Sequence, residues 1–445
     1  MNKPSRVYSS FRDPAGGIYE SDGRLVRKIS PEYQKEYDLL KSSGLYSRLL
    51  FDGLIIPHQD IDLGLLAPDR ISTISYPYEW CFGMLKDAAL TTLKIQRASI
   101  EHGMELKDAS AYNIQFHKGK MVLIDTLSIM EKELYSPWPA YGQFCRHFLG
   151  PLLLMSKVDV RLGQLSRIYL DGAPLDLVSK LLPFTFSPSI NTHIRVHSKL
   201  IKKVHSNTRG RTYKVSNKSQ VLILDSLYGM IDGLDSPSEK SGWIDYNECS
   251  YSKKAFDSKF NTVQGILQSL TRGTILDLGS NTGNFSRLAN RYHFGVVSVD
   301  SSHGCVEAAY ENKVKYPDLL PLLMDVTNPC TGVGWEGKER PPLQERVKPN
   351  LVLALALIHH LAISGALPLD YLVRYFRSWN CPILIEFIPK SDPQVQKLFP
   401  GGLDIFPNYT EEKFAEVFSS EFSIKSRFPI EDSVRVLYYL VPKGV

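Results

Sequence analysis

The strongest constraint on this chain is a change of rhythm near residue 240. From there, short apolar runs alternate with segments of helical spacing. Residues 252–271 read as a helix and 274–278 as a buried strand. The alternation continues with a helix at 285–292, a strand at 295–299, a helix at 306–316 and a strand at 319–324. Strand 351–357, helix 369–379, strand 383–387 and helix 411–418 follow, and strands 422–428 and 434–441 close the pattern. Runs of five to seven apolar or β-branched residues suit strands covered on both faces. Alternation with amphipathic helices predicts an α/β fold with a doubly wound parallel sheet. The last two strands have no helix between them, so the final strand is expected to run antiparallel.

The first half lacks this rhythm. A hairpin is predicted over 16–29, with its turn at Asp22-Gly23. Tyr33, Tyr37, Leu40, Leu45 and Leu49 give helical spacing over 32–50. Residues 79–102 form a longer helical pattern stopped by Gly103. A strand pair follows at 113–116 and 121–124, then a helical region over 140–184 with expected breaks at Pro151 and at 172–174. At 445 residues the chain is long enough for two or three domains. We expect a mainly helical α+β module over 1–198, a basic linker or arm over 199–239, and the α/β domain over 240–445.

Charge marks the boundary. Seven basic residues (Lys199, Lys202, Lys203, Arg209, Arg211, Lys214 and Lys218) fall within 199–218 with no acid among them, against a net charge of only +5 for the whole chain. The remainder is therefore slightly acidic. Such a balance argues against a dedicated nucleic-acid binder. The six cysteines form no C-x-x-C pair, which argues against a disulfide framework or a structural zinc site and for thiols in a reducing compartment. The first ten residues carry no apolar run, and no apolar stretch approaches a membrane span. A cytoplasmic protein without a membrane span is expected.

The chemistry is concentrated after the strand 274–278. Asp277 is followed by Gly279-Ser-Asn-Thr-Gly283 and then a helix. Glycine there lets the backbone turn sharply and approach a ligand. The spacing is neither the G-x-G-x-x-G of dinucleotide sites nor a P-loop. Asp300 ends the second strand, where a carboxylate can accept both hydroxyls of a ribose, and Asp325 ends the third. Three acids at the carboxyl ends of successive strands mark the switch point where such sheets bind ligands.

This constellation resembles the class I S-adenosylmethionine-dependent methyltransferases, with their Rossmann-like sheet and final antiparallel strand. The resemblance implies S-adenosylmethionine as cofactor. Asp277, Gly279 and Gly283 match the first motif, Asp300 the ribose acid and Asp325 the adenine-side acid. Asn281 stands where a middle glycine is common, and asparagine tolerates left-handed backbone angles. The stretches 74–80 (ISYPYEW), 106–113 (LKDASAYN), 353–362 (LALALIHHLA) and 385–392 (IEFIPKSD) further resemble the NoeA-related nodulation methyltransferases across nearly the whole chain.

On the acceptor side, His359 and His360 follow the fourth strand and Glu386 ends the fifth. Any of the three is a candidate base for a substrate hydroxyl or amine. The plainer reading of the histidines is that one caps the next helix and the other packs in the core. No spacing supports a metal site. Trp243, Tyr246 and Tyr251 precede the domain's first helix, where aromatics cover a ligand or seal a core edge.

One pattern in the first half stands apart. Asp108, Asn113 and Asp125 follow the order of kinase catalytic loops, in which an acid serves as base and an Asn and a later Asp hold metal. This resembles aminoglycoside- and choline-kinase-like folds. The usual His before the first acid is absent, since Leu106-Lys107 stands there, and Asp125-Thr-Leu127 replaces the DFG-type motif.

Together these features predict transfer of a methyl group to an oxygen or nitrogen acceptor, a glycan or small molecule. The alternatives are phosphotransfer by the first module and binding of an anionic polymer through 199–218.

Overall fold

In the computed structural model, residues 5–21, 23–183, 193–194, 214–237 and 251–444 are described. Residues 199–213 of the basic stretch, Trp243 and Tyr246 lie outside them. The chain divides into two units: Met1–Ser238 with Gly332–Arg340, and Glu239–Thr331 with Pro341–Val445. Residues 332–340 thus belong to the first unit although they are flanked by the second.

The first unit opens with strand β1 (Ser5–Arg6) and the expected hairpin, β2 (Gly16–Ser21) with β3 (Arg24–Ile29). With β4 (His58–Asp62) and β5 (Leu65–Pro68) they form an antiparallel sheet of order β1-β2-β3-β5-β4. The helical pattern over 32–50 is two helices, Gln34–Ser42 and Leu45–Phe51, because Gly44 between them adopts a left-handed φ of 81°. Helix Phe82–Glu101 buries residues on nearly every face, so it is the core element of the unit. The chain leaves it through β6 (Met104–Leu106), which pairs with β9 (Ile129–Glu131). Between these strands lies the hairpin of β7 (Ile114–His117) and β8 (Lys120–Leu123).

Pro151 does not break the chain as its sequence suggests. The backbone passes from Tyr141–Phe144 through a π-helical turn, Cys145–Leu149, into helix Gly150–Lys157. The wider π-helical turn just before Pro151 relieves the ladder that proline would otherwise break.

The second unit carries seven strands: β10 (Thr274–Leu278), β11 (Gly295–Asp300), β12 (Leu319–Leu323), β13 (Leu351–Ala354), β14 (Ile383–Phe387), β15 (Phe422–Pro429) and β16 (Val436–Pro442). Their order is β12-β11-β10-β13-β14-β16-β15. The first five are parallel, and β16 enters antiparallel between β14 and β15. The order reverses between β10 and β13, which opens a crevice at their carboxyl ends. β13 ends at Ala354, short of the predicted 357, because Ala356 turns the chain with a left-handed φ of 52°. Among the described residues, no helix is long and apolar enough to cross a membrane.

Candidate functional site

The crevice of the second unit holds a cavity of about 350 Å3. Asp277 reaches it from β10, Asp300 from the end of β11, and Asp325 from just past β12. Gly279 and Asn281 complete the turn beneath it.

The turn is built for this role. Gly279 has φ of 70°, and a Cβ there would sit 3.0 Å from Leu357 Cδ1. Its N–H and that of Ser280 both donate to the Val299 carbonyl, at 2.8 and 3.0 Å, which ties the turn to β11. Asn281 takes φ of 52°. Its N–H donates to Asp300 Oδ2 at 2.8 Å, and its own Oδ1 accepts from the Thr282 N–H at 2.7 Å. Asn281 thus makes the left-handed turn that glycine would make and also fixes the Asp300 carboxylate. Gly283, with φ of 84°, is the N-cap of helix Asn284–Arg291 and does not line the cavity.

The three carboxylates differ in environment. Asp277 is buried and accepts from the Ser286 hydroxyl at 2.5 Å, and burial pushes its carboxyl up to about 6. Burial also raises Asp300, whereas the N–H groups of Ser302 and Asn281 oppose the shift. Asp325 is exposed and accepts from the Thr327 N–H at 2.8 Å and its hydroxyl at 2.7 Å.

The structure separates the two histidines. His360 lines the cavity, and burial, with Arg435 nearby, lowers it to about 4. His359 has no solvent exposure, and among the described residues neither ring nitrogen has a partner. Burial holds it well below the usual histidine range. Their ring centroids lie 4.0 Å apart, and His359 occupies the N-cap of the turn His360–Ser364 without a capping side-chain bond.

Glu386 does not line the cavity either. Its Oε2 lies 2.7 Å from Lys259 Nζ, and its Oε1 accepts from the Tyr251 hydroxyl at 2.7 Å. Lys259 also donates to that hydroxyl at 2.9 Å and itself lines the cavity. Sequence reasoning missed Lys259, although there was a signal. It sits on the buried face of helix Lys253–Ser269 with Ala255 and Val263, a position where a cation needs a partner.

In the first unit, Asp108, Asn113 and Asp125 line one cavity of about 1090 Å3. Asp125 Oδ1 lies 2.5 Å from Arg27 Nη1 and accepts from the Leu127 N–H at 3.1 Å. Among the described residues, no group of three His, Cys, Asp or Glu side chains is arranged to hold a metal ion.

Sheet order, glycine turn and strand-end acids give the second unit the Rossmann-like architecture found in S-adenosylmethionine-dependent methyltransferases. The chain is 32% identical over 459 residues to nodulation protein NoeA of Rhizobium meliloti, covering 98% of this chain and 96% of the relative. It belongs to the NoeA family. No family model matches it. Among solved structures, PH0226 protein of Pyrococcus horikoshii is 16% identical with a TM-score of 0.33, over 45% of this chain and 96% of its own. A methyltransferase of Aquifex aeolicus is 14% identical with a TM-score of 0.32, over 45% and 98%. The bifunctional kinase-methyltransferase WbdD is 14% identical with a TM-score of 0.32, over 46% and 43%.

Proposed function

We propose that the second unit binds S-adenosylmethionine and moves its methyl group to an oxygen or nitrogen acceptor, a glycan or small molecule. The observation that carries this reading is the convergence of Asp277, Asp300 and Asp325 on one cavity lined by a glycine turn.

The residues present suit the donor. Gly279 leaves the space that a Cβ would take, so the chain of the ligand can lie against the backbone. Asp277 receives the ammonium of the methionyl group. Asp300 receives the ribose hydroxyls, its carboxylate being held in place by the backbone N–H groups of Asn281 and Ser302. Asp325 receives the adenine amino group. The sulfonium supplies an activated methyl, so the chain's main task is to hold acceptor and donor in line. His360 is the one of the three base candidates on the cavity wall. It is neutral at physiological pH and accepts a hydrogen bond from the acceptor as the proton leaves. Glu386 acts through Lys259, which it holds by an ion pair at the cavity wall.

Isothermal titration with S-adenosylhomocysteine tests the reading. Wild type should bind, and Asp300→Ala should bind at least tenfold more weakly. Absence of binding to wild type, or unchanged binding in the variant, would overturn it.

A further inference from the structure

The larger cavity of the first unit is not used by methyl transfer, and its polar groups divide by what they already hold. Four of its five carboxylates already hold donors, Asp171 being the fifth. Asp13 Oδ2 and Asp125 Oδ1 face the two terminal nitrogens of the buried Arg27, at 3.3 and 2.5 Å. Glu339 takes a two-point contact from Arg12, at 2.7 and 3.0 Å, and the Trp335 N–H at 3.0 Å. Asp108 Oδ1 accepts from the Ser110 N–H at 2.9 Å and from Gln143 Nε2 at 2.8 Å.

Three further donors on the same wall, on Lys107, Asn113 and Arg146, are less committed. Lys107 stands 3.8 Å over the Tyr33 ring and, among the described residues, makes no ion pair. Arg146 gives one N–H to the Asp171 carbonyl at 3.2 Å and, among the described residues, its two terminal nitrogens have no acceptor. The side-chain amide nitrogen of Asn113 is buried without an acceptor. Gly172 packs closely against the base of Arg146, since a Cβ there would fall 2.6 Å from the Arg146 Cβ. Acids and bases nearly balance over the wall, so net charge does not choose the ligand. Unused hydrogen-bonding capacity does. The buried Asn113 amide lacks an acceptor and the two half-buried cations have donors to spare, so the complementary ligand brings oxygen acceptors. Two cations and an amide suit a tetrahedral oxyanion, with the guanidinium offering paired N–H groups. A volume of about 1090 Å3 exceeds the need of a bare anion.

Arg27 decides the role of metal. It places a fixed positive charge between Asp13 and Asp125, where a divalent cation would otherwise bridge carboxylates to phosphate. A cation there would face the guanidinium, which already takes Asp13 Oδ2 and Asp125 Oδ1. We propose that this cavity binds a phosphate-bearing ligand directly, without a divalent cation, with Lys107, Asn113 and Arg146 receiving the phosphate oxygens and Arg27 standing in place of the metal. This inference is independent of methyl transfer.

The test is calorimetry of the full chain with ATP and with inorganic pyrophosphate, each in EDTA and in excess Mg2+. The expected result is binding in EDTA that Mg2+ does not strengthen and that weakens as salt rises. Arg146→Ala and Lys107→Met should each lose at least tenfold, with S-adenosylhomocysteine binding unchanged as a check on folding, while Arg146→Lys keeps part of the affinity. Binding of ATP alone assigns a nucleotide, and equal binding of both assigns the phosphate group itself. The inference is overturned by binding that requires Mg2+, by undiminished affinity in both variants, or by no heat from either anion at millimolar concentration.

Discussion

Lys259 Nζ lies 2.7 Å from Glu386 Oε2, with side-chain exposures of 3% and 0%. Both ions have left water, and the Tyr251 hydroxyl completes the cluster by donating to one and accepting from the other. Removing one partner strands the other charge. Lys259→Met should therefore destabilise the second unit by about 3–5 kcal/mol. Lys259→Met with Glu386→Gln should recover most of that loss. Chemical denaturation of the three proteins measures it. Equal stability of single and double variants would show that the pair is not coupled.

Asp277 supplies a second expectation, because it is buried and its carboxyl titrates near 6 rather than near 3.8. The folded protein binds this proton more tightly than the unfolded chain does. Its contribution to stability therefore falls as pH rises from about 4 to about 6. Asp277→Asn should stabilise the free protein at pH 8, by on the order of 1–3 kcal/mol, and abolish donor binding. In wild type, affinity for S-adenosylhomocysteine should drop about tenfold per pH unit below about 6, since the ammonium needs the ionised acid. Titrations at pH 5, 6 and 8 with parallel melts check both limbs. A flat affinity across that range would remove Asp277 from the ammonium contact.

Gly279→Ala should weaken donor binding more than it weakens the fold. A methyl there meets Leu357 Cδ1 at 3.0 Å and adopts a φ of 70°. The backbone term costs about 1 kcal/mol. The displaced Leu357 lines the cavity, so the larger effect is on the ligand. We expect at least a tenfold loss of S-adenosylhomocysteine affinity with a modest fall in melting temperature. The same substitution at Gly265, which meets nothing within 4 Å, is the control.

Much of the second unit can be read from its residues, because each parallel strand is buried on both faces and announces itself as an apolar run. Strands 274–278 and 383–387 fall where the sequence places them. The donor turn is equally legible, since glycine and asparagine at left-handed angles leave a mark in the sequence. What escapes is whatever depends on pairing between distant residues. Nothing local says that Lys259 meets Glu386, or that Arg27 meets Asp125. The short strands β4 and β6 escape for the same reason, being defined by partners rather than by their own composition. Pro151 misleads because a π-helical turn supplies the adjustment that a straight helix could not.

The adjacent histidines should separate function from stability. His360 is on the cavity wall and lowered to about 4, so it is neutral wherever the donor site works. Its loss removes a proton acceptor, an effect worth about 10²–10⁴ in rate. His360→Ala should lower kcat by about a hundredfold with little change in donor affinity. His359 is sealed off, with both ring nitrogens lacking partners among the described residues, so its polar atoms destabilise the fold. His359→Leu should retain activity within a few-fold and leave stability equal or higher at pH 7. The gain should grow in acid. The unfolded chain protonates this ring near 6.5 while the folded protein does not, so wild type loses stability as pH falls below that value. Rates for both variants, with melts at pH 5 and pH 7, decide the matter. A catalytic collapse in His359→Leu with an active His360→Ala would exchange the two roles.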